Sequence, residues 1–528
     1  MAMVVGLVVP KAVAAQAVSL APERDLPAWL TQWSVLAPRG DLPRRLPGTG
    51  SSAVPVSLFG RTPIGLFWTA GNPAGLAHGV DSARTDFLAT AGRTRGEFRR
   101  PLDPAASELK QITASSWRPL DSRLTVLGRV VLDQERLDPG SRADETEPYP
   151  TSPFVTTDSS LTPTRRTRAR LEGVAGWALG NWSLGADLGY EARDNQTIEA
   201  GFLRRSRLAM PGLALGVARQ LGGVRFGLTG RFRHRAETVL LTERASEGQV
   251  VALEGYRDVR PLSVQQSYYR LIEEDVPSGS VGAEGALGMA RWVVFGEVAR
   301  LRERRTRQEQ DNPAHDRWDA DSWTIGGAYQ RPLGRRWVLT ADGRYTQLTG
   351  HGDLVLDSAG TVFTANERVF DGRVELRLLP AASGWTVLVA LVGRYERRVR
   401  NDSIAVVGSR FVIKAPGLAI EIGRVVAPSL MVLGTEAMTS SVATSTIPAP
   451  LARGAVYRTL IAPELDLEAR NATPLAVGGA VRWQASGRTA LWLSGRIERV
   501  SPNGTSPSGF GPDWGRSASA VMLGVVMR

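Results

Sequence analysis

Cysteine is missing from all 528 residues. Its absence removes thiolate metal ligands, disulfides and a Cys nucleophile together, and it suits a chain that crosses an oxidising periplasm. Lysine is nearly missing too: Lys11, Lys110 and Lys414 are the only ones, so the formal net charge of +12 is almost entirely arginine. These arginines run along the whole chain in alternation with apolar residues, with no basic cluster or binding motif. That pattern argues against nucleic acid as a partner. No apolar run reaches the roughly 18 residues that a membrane-crossing helix needs. The longest one away from the N-terminus, residues 385–392, has the length of a barrel-strand crossing instead.

Chemistry-bearing patterns are equally scarce. Histidine occurs four times, at His78, His234, His315 and His351. His315-Asp316 and the His351/Asp353 pair fall in expected external loops and read as solvated side chains, because neither has a nucleophile or metal ligand at a useful spacing. The carboxylates Asp311, Asp316, Asp319 and Asp321 lack the regular spacing of a calcium loop. No metalloprotease, nucleophile-elbow, P-loop or EF-hand motif occurs. The sequence therefore predicts no catalytic residue, no cofactor and no metal, and a protein that is not an enzyme.

Tryptophan, in contrast, is abundant and placed with a pattern. Trp177, Trp182, Trp292, Trp337, Trp385, Trp483 and Trp492 all lie beside short turns. An indole has an apolar body and one polar N–H, so it gathers where a strand end meets the membrane–water boundary. These seven read as one aromatic girdle of a transmembrane β-barrel.

From residue 85 onward, segments of roughly 10 to 16 residues alternate in polarity and are joined in turn by tight turns and longer polar loops. Trp337, Leu339, Ala341, Gly343 and Tyr345 share one face while Thr340, Asp342, Arg344 and Thr346 share the other. Leu184, Ala186, Leu188 and Tyr190 oppose Asp187, Glu191 and Arg193 in the same way. Phe370, Val374, Leu376 and Leu378 oppose Asp371, Arg373, Glu375 and Arg377, and Leu465, Leu467 and Ala469 oppose Glu464, Asp466, Glu468 and Arg470. Successive strand residues point to opposite sides, so one set meets lipid and the other a wet lumen. A soluble sandwich or propeller also alternates, but it does not explain tryptophans clustered at the short connections.

Tight turns are expected near 179–181, 220–223, 289–291, 333–335, 381–384, 426–428 and 485–488. Long loops are expected near 138–163, 242–263, 304–318, 347–366, 441–455 and 501–515. The alternation yields nineteen candidate strands, with loop parity failing between 456 and 488. Bacterial single-chain barrels carry an even number, so the expectation is an all-β, closed antiparallel transmembrane barrel of about 18 strands, with 16 as the alternative, over residues 85–528. Residues 18–84, rich in Pro and Gly, form an irregular N-terminal segment that either plugs the barrel or packs at its periplasmic mouth. Residues 1–17 read as a signal peptide with an A-x-A cleavage site and a missing basic n-region, as from a start placed downstream of the real one.

On the inward face, Arg166, Arg168 and Arg170 form one row, Arg231, Arg233 and Arg235 a second, and Asp371, Arg373, Glu375 and Arg377 a mixed third. Rings of arginine favour anions in a pore. Acid–base ladders across a wet wall hold it together instead, and both readings stand at this point, with an anion bias expected if the lumen is open.

The stretch from Phe67 to Ala77 contains the lead-in Asn72-Pro73-Ala74-Gly75-Leu76 just before the first strand. This segment, with Pro148-Tyr149, Asp158, Asn181-Trp182 and the Tyr190/Ala192 ending, resembles an uncharacterised family of bacterial outer-membrane β-barrels, a domain of unknown function. More distantly it is similar to the FadL-like fatty-acid transporters. The resemblance implies a barrel in the outer membrane of a Gram-negative cell, with outer-membrane lipid and the barrel-assembly machinery as partners. It names no substrate, and the expectation is a passive pore or transporter for a small solute. A FadL-like transporter of hydrophobic molecules and a non-conducting, partner-binding barrel are the alternatives.

Overall fold

The computed structural model describes residues 65–78 other than 68, 83–96, 104–138, 152–158, 163–197, 203–242, 250–254, 261–262, 268–307, 314–354, 361–378, 384–403, 407–426, 429–438, 441–446, 472–486, 489–502 and 516–527. A short 3-10 turn, Pro73–His78, precedes β1 (Arg84–Gly96), β2 (Ala106–Pro119), β3 (Leu124–Asp138), β4 (Phe154–Asp158), β5 (Thr164–Leu179), β6 (Trp182–Thr197), β7 (Leu203–Leu221) and β8 (Val224–Thr242). Then come β9 (Val250–Glu254), β10 (Pro261–Leu262), β11 (Tyr268–Leu287), β12 (Ala290–Arg307), β13 (Ala314–Leu333), β14 (Trp337–Leu354), β15 (Thr361–Leu378) and β16 (Gly384–Asp402). The last are β17 (Val407–Val426), β18 (Ser429–Met438), β19 (Ser441–Thr446), β20 (Ala472–Gln484), β21 (Thr489–Pro502) and β22 (Arg516–Met527).

Nineteen of these strands form one antiparallel sheet. The first strand, β1, pairs with both β2 and the last strand, β22, so the sheet returns on itself. Both β18 and β19 pair with β17, β18 along Gly417–Val426 and β19 along Arg410–Lys414. They share one register, with Met438 opposite Gly417 and Ser441 opposite Lys414, and are two pieces of one course, so the described strands make a ring of 18 courses. The strand expected at 464–470 lies outside the described residues.

Four tight turns, at 180–181, 222–223, 288–289 and 334–336, define one rim. Gly180, Gly222, Gly288 and Gly334 open them with φ between 60° and 77°, a region that residues with a Cβ enter at a cost. A further turn, Asp121–Arg123, is absent from those expected from sequence. There Asp121 accepts backbone N–H bonds from Arg123 and Leu124 at 2.6 and 2.7 Å.

The strands overrun the loops expected from sequence. β12 continues to Arg307 and β13 starts at Ala314, while β14 runs to Leu354 and β15 begins at Thr361. His315 and His351 consequently belong to strands rather than to external loops. Backbone pairing does not stop at the membrane surface, because the ladder satisfies itself in water as well as in lipid. The expected loops 138–163 and 242–263 contain strand too: β4, β9 and β10 pair into a small separate sheet.

The outer wall carries its own record of the membrane. Trp177, Trp182, Trp337, Trp385 and Trp483 point outward and are exposed beside the tight-turn rim. Trp292 lies over Gly285 on the same face, and the side chain of Trp492 lies outside the described set. Arginines stack on two of the rings, Arg219 over Trp182 at 4.9 Å and Arg424 over Trp385 at 5.4 Å. A second outward aromatic row, Tyr190, Trp323, Tyr345, Phe370 and Tyr395, follows 8 to 11 residues farther from the turn-side strand ends. At about 3.3 Å per residue and about 40° of tilt, the two rows stand roughly 20–28 Å apart, the height of an apolar band. Leu188, Leu215, Val281, Ile325 and Leu391 fill the space between them and are exposed. Beyond the second row the outward residues turn charged, as at Arg136, Asp138, Arg300, Arg317 and Asp321. The chain is a closed transmembrane β-barrel.

Candidate functional site: a docked segment in the lumen

The lead-in segment lies inside the wall, and its sequence explains its shape. Gly71 takes a φ of +64°. Asn72 then caps the 3-10 turn, its Oδ1 accepting from the Ala74 backbone N–H at 2.9 Å. Pro73 occupies the first helical position, where a missing N–H costs nothing. The turn folds back on the residues before it, with Asn72 N–H donating to Leu66 O at 2.9 Å and Gly71 N–H to Phe67 O at 3.0 Å. A Cβ on Gly75 would stand 2.6 Å from Phe67 N, so only glycine closes this coil.

The wall is shaped to receive it. Five strands in succession around the ring, β5, β6, β7, β8 and β11, each offer an inward glycine: Gly176, Gly185, Gly216, Gly227 and Gly282. They fall in two cross-strand rows, since Gly176 pairs with Gly185, Gly185 with Gly216, and Gly227 with Gly282. A Cβ on Gly185 would reach 2.2 Å from Ala74 N, on Gly216 2.2 Å from Asn72 Oδ1, and on Gly176 2.5 Å from Ala77 N. By comparison, Gly128 and Gly173 on the outer face would meet nothing within 4 Å.

Packing and polar contacts then hold the segment. Leu66, Ala70 and Ala74 join Ala218, Val293 and Phe295 in a buried cluster, with Ala328 at its margin. Phe67 and Leu76 are also buried. The Asn72 amide donates to the wall carbonyls of Val217 at 3.3 Å and Leu228 at 3.1 Å. Leu66 N–H donates to Glu284 at 2.7 Å, and Glu284 also binds Arg225. Arg231 reaches the carbonyl of Gly71 and, at 3.4 Å, that of Ala70. His78, at the end of the turn, has its imidazole held below its ordinary value of 6.5 by burial and by Arg225, against the opposing pull of Glu284.

The charges of the three inward rows are paired. Arg166 meets Glu135 at 3.4 Å, Arg168 meets Asp133, and Arg170 meets Glu172 at 2.8 Å. Arg231 meets Glu297 at 3.4 Å, Arg233 meets Glu274 at 2.7 Å, and Arg235 meets Glu237 at 2.5 Å. Glu375 takes both Arg373 and Arg377, at 3.0 and 3.1 Å, and Asp371 takes Arg394 at 3.5 Å. Of the two sequence readings of these rows, the geometry is that of a charge lattice. Among the described residues no group of His, Asp and Glu could hold a metal ion.

Toward the far rim the small sheet packs against the inner wall. Phe154, from the small sheet, is buried, and its ring meets the Cβ position of Gly352 at 3.2 Å beside the Trp318 indole. Trp318 itself is fully buried, 6.1 Å from the Phe363 ring. Gly350 leaves room for it, because a Cβ there would lie 2.2 Å from the indole. Around this contact Arg270, Arg305, Glu303 and Asp316 are all at most 1% exposed. A cavity of about 570 Å³ lies elsewhere, on the lipid-facing wall between Phe87, Val130, Leu171 and Tyr190.

The family of unknown function DUF6850 matches residues 73–511, from the first residue of the 3-10 turn through nearly the whole wall. The chain belongs to DUF6850. No curated protein matches it. Among solved structures it is similar to the ferric citrate transporter FecA in the unliganded form, at 8% identity, covering 84% of this chain and 78% of that one, with a TM-score of 0.45. It is also similar to the ferripyoverdine receptor of the Pseudomonas aeruginosa outer membrane, at 8% identity, 84% and 72% coverage and a TM-score of 0.41. A third likeness is to the siderophore receptor PiuA from Acinetobacter baumannii, at 8% identity, 84% and 81% coverage and a TM-score of 0.38. The matched region begins where the docked turn begins.

Proposed function

We propose that this DUF6850 barrel resides in the bacterial outer membrane and passes a small solute through a lumen that the segment around Asn72–Leu76 obstructs at rest. The observation that carries the reading is the glycine track. Five inward side chains are reduced to hydrogen where the segment lies, a feature that wall stability alone does not require. The segment is small against the lumen of an 18-strand barrel, a size that leaves room for a channel, and the wall beyond its margin carries wetted carboxylates. The reading is of a non-enzymatic protein, with the lattice arginines acting as structure.

Liposome swelling tests it. Vesicles holding the wild-type barrel should admit small sugars slowly, and Gly185→Ala, which collides with the segment, should speed entry. If neither protein admits solute above the lipid background, the conduit reading fails. The partner-binding alternative draws support from the buried charges and the Phe154 contact at the far rim, and it would then take its place.

A further inference from the structure

Inner side chains along the mid-wall are buried or half-buried among the described residues, with one exception, Asp342 on β14. Its inward orientation is fixed by register, because it pairs with Ala328 on β13 and with Arg373 on β15, both of which face the lumen. Asp371 on β15 is the next most wetted inner charge of this region, with 49% of its side chain exposed. The arginines around them are engaged: Arg373 with Glu375, Arg394 with Asp371 and Glu396, and Arg344 between the carboxylates of Glu297 and Asp371. Ala328, the cross-strand partner of Asp342, lies at the margin of the cluster that seats the docked segment. Water therefore reaches the wall just past the segment's edge, and the charge it meets first there is negative.

We infer that the lumen beside β13–β15 is a water-filled chamber that concentrates small cations, with Asp342 as its selecting charge and cationic solutes as the class it admits. The inference rests on the conduit reading for its biological use, though not for its test. It reverses the anion bias that the arginine count suggests, since a paired guanidinium adds little to the field while an unpaired carboxylate in a wet, low-dielectric enclosure focuses it. At contact distance in water one unit charge enriches a counter-ion about fivefold, and its reach is about 8 Å at physiological salt.

The absence of cysteine gives a direct probe. Ala328→Cys places a thiol opposite Asp342, with Cβ atoms about 5 Å apart in such a pair. The full-length barrel is reacted with methanethiosulfonates carrying either trimethylammonium or sulfonate, and the ratio of the two rates is compared with and without Asp342→Asn. The cationic reagent should react faster, and Asp342→Asn should lower the ratio about fivefold, while Arg166→Gln, on β5 and away from the docked segment, leaves it within about a factor of two. A ratio at or below one, or one that Asp342→Asn does not move, overturns the inference. Thr340→Cys, two residues along the same face, serves as a second reporter in case packing hides the first; failure of both thiols to react shows that the chamber is dry and also overturns it. Absence of solute entry in liposomes would not change these ratios, so failure of the conduit and failure of the chamber are separable.

Discussion

Gly185→Ala is the sharpest perturbation the structure offers. The added methyl would stand 2.2 Å from both Ala74 N and Pro73 C, backbone atoms that cannot rotate away. Overpacking a fitted contact costs about 1–3 kcal/mol, and a clash with backbone belongs at the upper end, so about 2–3 kcal/mol should be lost from docking. The barrel ladder is untouched, because alanine is tolerated at an inward strand position. At 1.4 kcal/mol per tenfold, the undocked fraction rises about 30- to 150-fold. The assay uses Leu76→Cys, a smaller side chain at a site with no exposure in the docked state. Its reaction with a thiol reagent reports the undocked population. Adding Gly185→Ala should raise the labelling rate by that factor, and Gly173→Ala, whose methyl meets nothing within 4 Å on the lipid face, should leave it unchanged. A rate equal in all three proteins would refute the argument that the track exists to seat the segment.

Other outcomes follow from the same contacts. Asn72→Ala removes the amide bonds to Val217 O and Leu228 O and the cap on Ala74 N–H, and should weaken docking by about 1–3 kcal/mol, read as faster labelling of the Leu76→Cys thiol. Arg235→Gln removes a salt bridge to Glu237, whose side chain is 0% exposed and still accepts from Ser206, and should cost about 1–3 kcal/mol in urea unfolding from detergent. The docked state favours neutral His78, so docking is at full strength above the ordinary value of 6.5 and weakens as pH falls through it. Labelling of the same Leu76→Cys reporter, corrected for thiolate content, should accelerate on acidification, and a His78→Gln barrel should lose that dependence. Phe154→Ala empties the contact beside Trp318 and should expose the small sheet to protease at the far rim, while the wall stays intact.

The wall is legible in the sequence because two periods are imposed on every residue. Alternation places Leu184 and Leu188 in lipid and Asp187 and Glu191 inside, and the tryptophans mark the ends, so fold class and strand faces follow from pattern, while the pattern alone yields nineteen strands and the even-number rule brings the count to 18. Strand ends are less legible: at His315 and His351 the ladder continues past the membrane, and polarity no longer reports on pairing. The Asp121–Arg123 turn has no glycine or tryptophan beside it to mark it.

The lumen arrangement is harder to read. The lead-in stands out by its residues, but its seat on Gly176, Gly185, Gly216, Gly227 and Gly282 depends on which strands are neighbours and in what register. One signal is present in the sequence: glycines at inward parity near tight turns, where a wet wall would carry polar side chains. The arginine rows raise two readings that sequence does not separate, because Glu297 and Glu274, which meet Arg231 and Arg233, come from other strands whose approach the barrel alone defines, while only Glu237, two residues from Arg235, shares its face by alternation.

Leu66 to Leu76 sits inside the ring against the glycine track. Leu66→Cys with Gly282→Cys tests it directly, since a Gly282 Cβ would lie 2.8 Å from the Leu66 Cδ2 position and the shorter cysteine leaves room for a bond. In native membranes this pair should form a disulfide under mild oxidation, visible as a mobility shift that reductant reverses. Leu66→Cys with Gly279→Cys, which puts the second thiol on the outer face, should not. Crosslinking in the control pair alone, or in neither pair while both thiols react freely with reagent, would contradict the account.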